Sequence, residues 1–167
     1  VNNSSKVIIL LLIANLIATI WFGTKNSVTA DNVKPYEEAS KHELPSFITE
    51  QVREDILNTF IEHFNAHDFD ALYNMFGPVA KSQISKEKMD EEFSKLVRLF
   101  DKIEQGTYSF AEFSGQQGST TVYVLNYTVS LSEKSTFGSV GNLKITVALD
   151  SNSYQIYGIF LHGNSNS

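Results

Sequence analysis

The hydrophobic period of this chain changes at Gly106. Before it, apolar residues recur every three or four positions. After it, they recur every second position. A helical stripe cannot be reused as a pleated face, so helices precede strands in this chain. Three helices are predicted. The first covers Ser46 to Ala66, with Ile48, Val52, Ile56, Phe60 and Phe64 on one stripe and Ser46 or Thr49 as its cap. The second covers Asp68 to Phe76, capped by Asp68 and ended by Gly77-Pro78. The third covers Ser85 to Glu104, capped by Ser85 and stopped by Gly106. Four strands are predicted at Thr107–Phe113, Thr120–Ser132, Asn142–Leu149 and Tyr154–His162, joined by Gly-, Ser- and Asn-rich hairpin loops. In the second, Tyr123, Leu125, Tyr127, Val129 and Leu131 share one face. Helices followed by an antiparallel meander make an α+β domain, with helices on one sheet face.

The N-terminus adds a different constraint. Val7 to Phe22 is apolar except for Asn15 and Thr19. As a helix it would measure about 24 Å at roughly 1.5 Å per residue. It has no polar face to turn toward water. Val28-Thr29-Ala30 reads as a small-x-small cleavage site. A cleaved signal peptide and a retained membrane anchor both fit residues 1–30, and both place the remainder outside the cytoplasm, periplasmic or secreted. Residues 31–45 read as a linker, 46–162 as the domain and 163–167 as a frayed tail. With no Cys in the chain, there is no disulfide scaffold, cysteine-ligated metal or lipoprotein acylation. The formal net charge of −6 argues against nucleic acid, whose phosphates need a basic surface. The charge is concentrated: residues 31–105 hold 16 acids and 9 bases, residues 106–167 only 3 and 2.

The run Phe60-Ile61-Glu62-His63-Phe64-Asn65-Ala66-His67-Asp68-Phe69-Asp70-Ala71-Leu72-Tyr73 is one long helix giving way to a short one. With Phe76-Gly77-Pro78, the third helix and the closing strand Tyr154 to Leu161, it resembles the nuclear transport factor 2-like superfamily, in particular its small exported members of uncharacterised function. The resemblance covers about residues 46–162. It implies a cone, in which a strongly curved antiparallel sheet of about four strands wraps the helices around a pocket. It also implies a homodimer through the sheet as one mode of association. The superfamily includes isomerases, dehydratases, polyketide cyclases, transport factors and secretion-system subunits, but no catalytic constellation of its enzymes maps residue by residue onto this chain.

Candidate chemistry is sparse. His63 and His67 have i, i+4 spacing, as a metal pair would. His67 falls at the helix end, so two solvated histidines are the simpler reading and no metal is assigned. Asp68 and Asp70 already serve a helix start. His162, the last strand's terminal residue, is expected to be exposed. The tyrosines are more informative. Tyr73, Tyr108, Tyr123, Leu125, Tyr127 and Tyr157 are the expected pocket-lining set, their hydroxyls orienting a ligand between apolar walls. Ser85-Lys86-Glu87-Lys88 has Ser-x-x-Lys spacing without the companion motifs of penicillin-binding enzymes, and reads as a cap. The sequence therefore points to a non-catalytic extracytoplasmic binding or assembly domain that needs no cofactor. Its partner would be a small apolar ligand or an envelope protein, with membrane contact through residues 7–22 if they are retained. The alternative is a small-molecule isomerase, dehydratase or hydrolase using pocket Tyr, His or Asp groups.

Overall fold

The computed structural model describes residues 43–163, all within a compact unit spanning residues 39–167. The apolar run 7–22, its cleavage site, most of the linker and the tail from residue 164 lie outside the described residues. Four helices precede four strands: α1 (Glu50–Ala66), α2 (Phe69–Met75), α3 (Pro78–Gln83), α4 (Lys86–Phe100), β1 (Ile103–Gln117), β2 (Thr120–Leu131), β3 (Val140–Asp150) and β4 (Ser153–Gly163). The strands form one open antiparallel sheet in the order β1-β2-β3-β4. The α+β class and the meander are as the change of period required. Among the described residues, no helix is long and apolar enough to cross a membrane.

The helix starts follow from side chains that satisfy otherwise orphaned N–H groups. Thr49 accepts from the Val52 amide, Asp68 from Ala71 and Ser85 from Lys88. Helix α1 starts at Glu50 rather than Ser46, because the Ile48 amide closes a turn onto the Pro45 carbonyl at 2.9 Å. The three expected helices become four: Gly77-Pro78 ends one helix and opens another. Proline's fixed φ and missing donor are suited to a first helical position, which Pro78 occupies in α3.

The expected end of the third helix also moves. Helix α4 stops at Phe100, and Asp101 takes a positive φ of 58°. The Asp101 carboxylate accepts from Ser132 Oγ at 2.7 Å, and the Ser132 amide donates to the Lys102 carbonyl at 3.0 Å. These bonds draw the chain onto β2, so Ile103 starts a strand instead of continuing a helical stripe. Strand β1 thus runs well beyond Thr107–Phe113 at both ends. Its register against β2 shifts three times, between Ile103 and Gln105, Tyr108 and Phe110, and Phe113 and Gly115. Such bulges erase strict alternation and bend the strand.

The core lies between the helices and one sheet face. Phe60, Phe64, Leu72, Leu125, Leu143 and Ile145 are fully buried. Phe60 and Phe64 meet with ring centroids 5.5 Å apart. Residues 43–48 bring Ile48 into the same core. The corner between α2 and α3 is fastened to β4: Phe76 bridges Ile156, and the Gly77 amide donates to the Ile156 carbonyl at 2.9 Å. A Cβ at Gly77 would lie within 2.7 Å of Gln155 Cβ, which explains glycine at this close approach.

Candidate functional site

The first half of α1 packs on the start of β1, Arg53 over Tyr108 and Leu57 against Gly106, and leaves open space beside these contacts. Between them lies a cleft of about 420 Å³. Helix α1 presents Glu50, Arg53, Glu54, Leu57 and Asn58 to it. Strand β1 presents Gly106, Thr107 and Tyr108, and Tyr127 of β2 forms the back. Gly106 permits close packing, since a Cβ there would sit 3.1 Å from both Leu57 and Val129 side-chain carbons.

Arg53 is the central group. It is half-buried, and its guanidinium carbon lies 4.4 Å from the centroid of the Tyr108 ring. That geometry is attractive because the ring face carries partial negative charge. Arg53 Nη1 donates to the Ile48 carbonyl at 3.1 Å, whereas buried Nε has no hydrogen-bond partner. Arg53 pairs with no carboxylate among the described residues, although Glu50 and Glu54 border the same cleft. The Tyr108 and Tyr127 rings meet edge to face at 5.8 Å, and Tyr127 Oη donates to the Arg53 carbonyl at 3.1 Å. Burial pushes the Tyr108 phenol above its ordinary value. Burial, with the neighbouring Tyr108 adding to it, pushes Tyr127 further in the same direction. Both hydroxyls therefore stay protonated at neutral pH.

Of the six expected lining residues, only Tyr108 and Tyr127 border this cleft. Tyr123 is buried, stacks edge to face on Phe113 and donates to the Glu43 carbonyl at 3.3 Å. Leu125 is fully buried in the core. Tyr73 lies on α2 beneath Lys81, whose ammonium is 5.0 Å from the ring centroid. Tyr157 occupies the irregularity where the β3–β4 register shifts, half-buried. The cleft is also not the purely apolar hollow suggested by alternating Tyr and Leu, because three charged side chains border it. Arg53, Glu50 and Glu54 were the residues that sequence reasoning missed. The available signal was that Arg53 is the only Lys or Arg between Lys41 and Lys81, set within an acidic helix.

The remaining candidates have structural placements. His67 caps α1 in the left-handed conformation, with φ 56°, and its ring stacks on Phe69. It therefore leaves the helical face that His63 occupies. Asp70 pairs with Lys86 at 2.6 Å. Among the described residues, no group of three or more His, Asp and Glu side chains could hold a metal ion. His162 is half-buried rather than exposed. It lies opposite Asn142 and beside the Phe160 ring, and its Nδ1 is buried without a partner.

A family model described as "Protein of unknown function (DUF3887)" matches residues 58–153, more than half of the chain. The chain belongs to this family. The matched DUF3887 segment runs from the middle of α1 to the start of β4. It includes Tyr108 and Tyr127 but stops short of Glu50, Arg53 and Glu54. No curated protein matches the chain.

Proposed function

We propose that this DUF3887 protein is a non-catalytic extracytoplasmic binding or assembly domain, built on the nuclear transport factor 2-like plan. The order of elements supports the plan: a long helix, shorter ones, an amphipathic helix and then a four-strand meander. So do the three register shifts in β1, since bulges supply the curvature a cone needs. The apolar run at residues 7–22 and the Val28-Thr29-Ala30 site support export, as a cleaved signal or an anchor. Association of two copies through the outer sheet face, where Phe110 is exposed, belongs to the same reading.

The observation that carries the functional reading is what the inward tyrosines do. Tyr123 and Tyr127 donate to the main-chain carbonyls of Glu43 and Arg53, so both hydroxyls are engaged in holding the fold. Proton-transfer chemistry needs an acid and a base converging on one reacting atom, each with a pKa near the working pH. The cleft instead offers protonated phenols, a guanidinium and two exposed carboxylates. This set suits recognition better than isomerisation, dehydration or hydrolysis.

Native mass spectrometry of the full chain recovered from the compartment to which it is exported tests the proposal. The expected spectrum shows a retained small molecule or a defined complex. The same preparation should leave a Δ5-3-ketosteroid and a p-nitrophenyl ester unchanged. Turnover that is lost in Tyr108→Phe would overturn the reading, as would a bare monomer.

A further inference from the structure

From the cleft between α1 and β1 we infer the ligand class: a small zwitterion with an apolar side chain, such as a free amino acid or dipeptide, its carboxylate held by Arg53 and its ammonium group by Glu50 and Glu54. This rests on the binding reading above and names what is bound.

Arg53 is half of an ion pair: among the described residues its guanidinium meets no carboxylate. A half-buried guanidinium that meets no carboxylate is costly unless something else satisfies it. Stacking on Tyr108 and one bond to the Ile48 carbonyl engage only part of the five-donor fork of Arg53. They also fix its plane, which removes much of the ordering cost of gripping a planar anion. A simple anion would meet Arg53 but be repelled by Glu50 and Glu54. A simple cation would meet the glutamates but be repelled by Arg53. A molecule carrying both charges on neighbouring atoms satisfies all three. Leu57 and Tyr108 line the cleft and supply an apolar wall for a side chain, and a volume of about 420 Å³ accommodates a molecule of this size.

Isothermal titration calorimetry of the full chain with alanyl-phenylalanine tests the assignment. Its C-terminal amide, lacking the carboxylate, and its N-acetyl form, lacking the ammonium, serve as comparison probes. The free dipeptide should bind at least tenfold more tightly than either. Arg53→Lys keeps a charge but loses the planar fork, and should weaken the dipeptide by about tenfold. The double variant Glu50→Gln and Glu54→Gln alters two exposed residues and so leaves folding intact. In it the N-acetyl form should bind as well as the free dipeptide. Equal binding of acid and amide, or no response to either set of substitutions, overturns the assignment. If the dipeptide fails to bind while native mass spectrometry shows another retained molecule, the ligand class falls and the binding reading survives. If the dipeptide is hydrolysed, the non-catalytic reading falls instead.

Discussion

Asn65 shows how much a single side chain can fix without belonging to any motif of charge or hydrophobicity. Its Nδ2 donates to the Ile103 carbonyl at 2.7 Å, and its Oδ1 accepts from the Ile103 amide at 3.0 Å. The carboxamide thus acts as a one-residue strand partner and fastens α1 to the start of β1. Ile103 is fully buried, so removing the partner leaves a donor and an acceptor without water. Each such orphan costs roughly 1–3 kcal/mol. Asn65→Ala should therefore lower the unfolding free energy by about 2–6 kcal/mol in urea titration. Asn65→Asp, which keeps the acceptor and loses the donor, should fall between the two. Tyr127→Phe removes a single bond to the Arg53 carbonyl and should cost about 1 kcal/mol. Tyr108→Phe should change stability by less than about 0.5 kcal/mol, because its ring and not its hydroxyl makes the described contacts. Equal losses in the two tyrosine variants would contradict this assignment of roles.

Among the elements, those governed by local chemistry were legible before any coordinates. Asp68 and Ser85 cap the helices to which the sequence assigned them, and Thr49 is one of the two caps it offered for α1, because capping involves residues only three apart. The inward face of β2 was also legible, since period two fixes which side chains share a side. What escaped depended on distant partners. The end of α4 is set by Ser132, 31 residues beyond Asp101, and nothing local marks it. The length of β1 was hidden because it is an edge strand with a polar C-terminal end and three register shifts. Of the residues bordering the cleft, strand alternation marked Tyr127 as inward-facing, Tyr108 entered only as one of a set of tyrosines, and Arg53 meets the Tyr108 ring only when β1 folds beneath it. Ser85→Ala leaves the Lys88 amide without its acceptor and should cost about 1 kcal/mol. Ser85→Asp should restore that loss, since a carboxylate accepts the same bond and complements the positive helix start. Thermal unfolding of the two variants against the parent checks the pair.

Across the described residues, charge is divided between the layers, and the response to acid follows that division. The helical layer carries ions in partly exposed clusters: Lys86 joins Asp70 on α2 to Asp90 on α4, and Lys88 and Lys95 flank Glu91 and Glu92. Hydrogen bonds from Lys95 and Lys88 hold the Glu91 carboxyl down to about 2. A group lowered in this way favours the fold above about 4.5, and that contribution disappears as pH falls toward 2. The nearly uncharged sheet contains His162, which titrates in a different window. Burial first, and then the positive charge of Lys144, lower its pKa below the ordinary 6.5. The folded chain therefore binds this proton less readily than the unfolded chain. Its contribution to stability is complete above about 6.5 and is lost as pH falls through the lowered folded value. His162→Gln removes that proton-binding difference while keeping a polar side chain beside Asn142. The variant's unfolding free energy should change less between about pH 7 and pH 5 than the parent's, while the carboxylate-driven loss below about pH 4.5 persists in both. Urea titrations across that range separate the two windows. Identical slopes above pH 5 in parent and variant would show that His162 does not couple acid to the stability of the sheet.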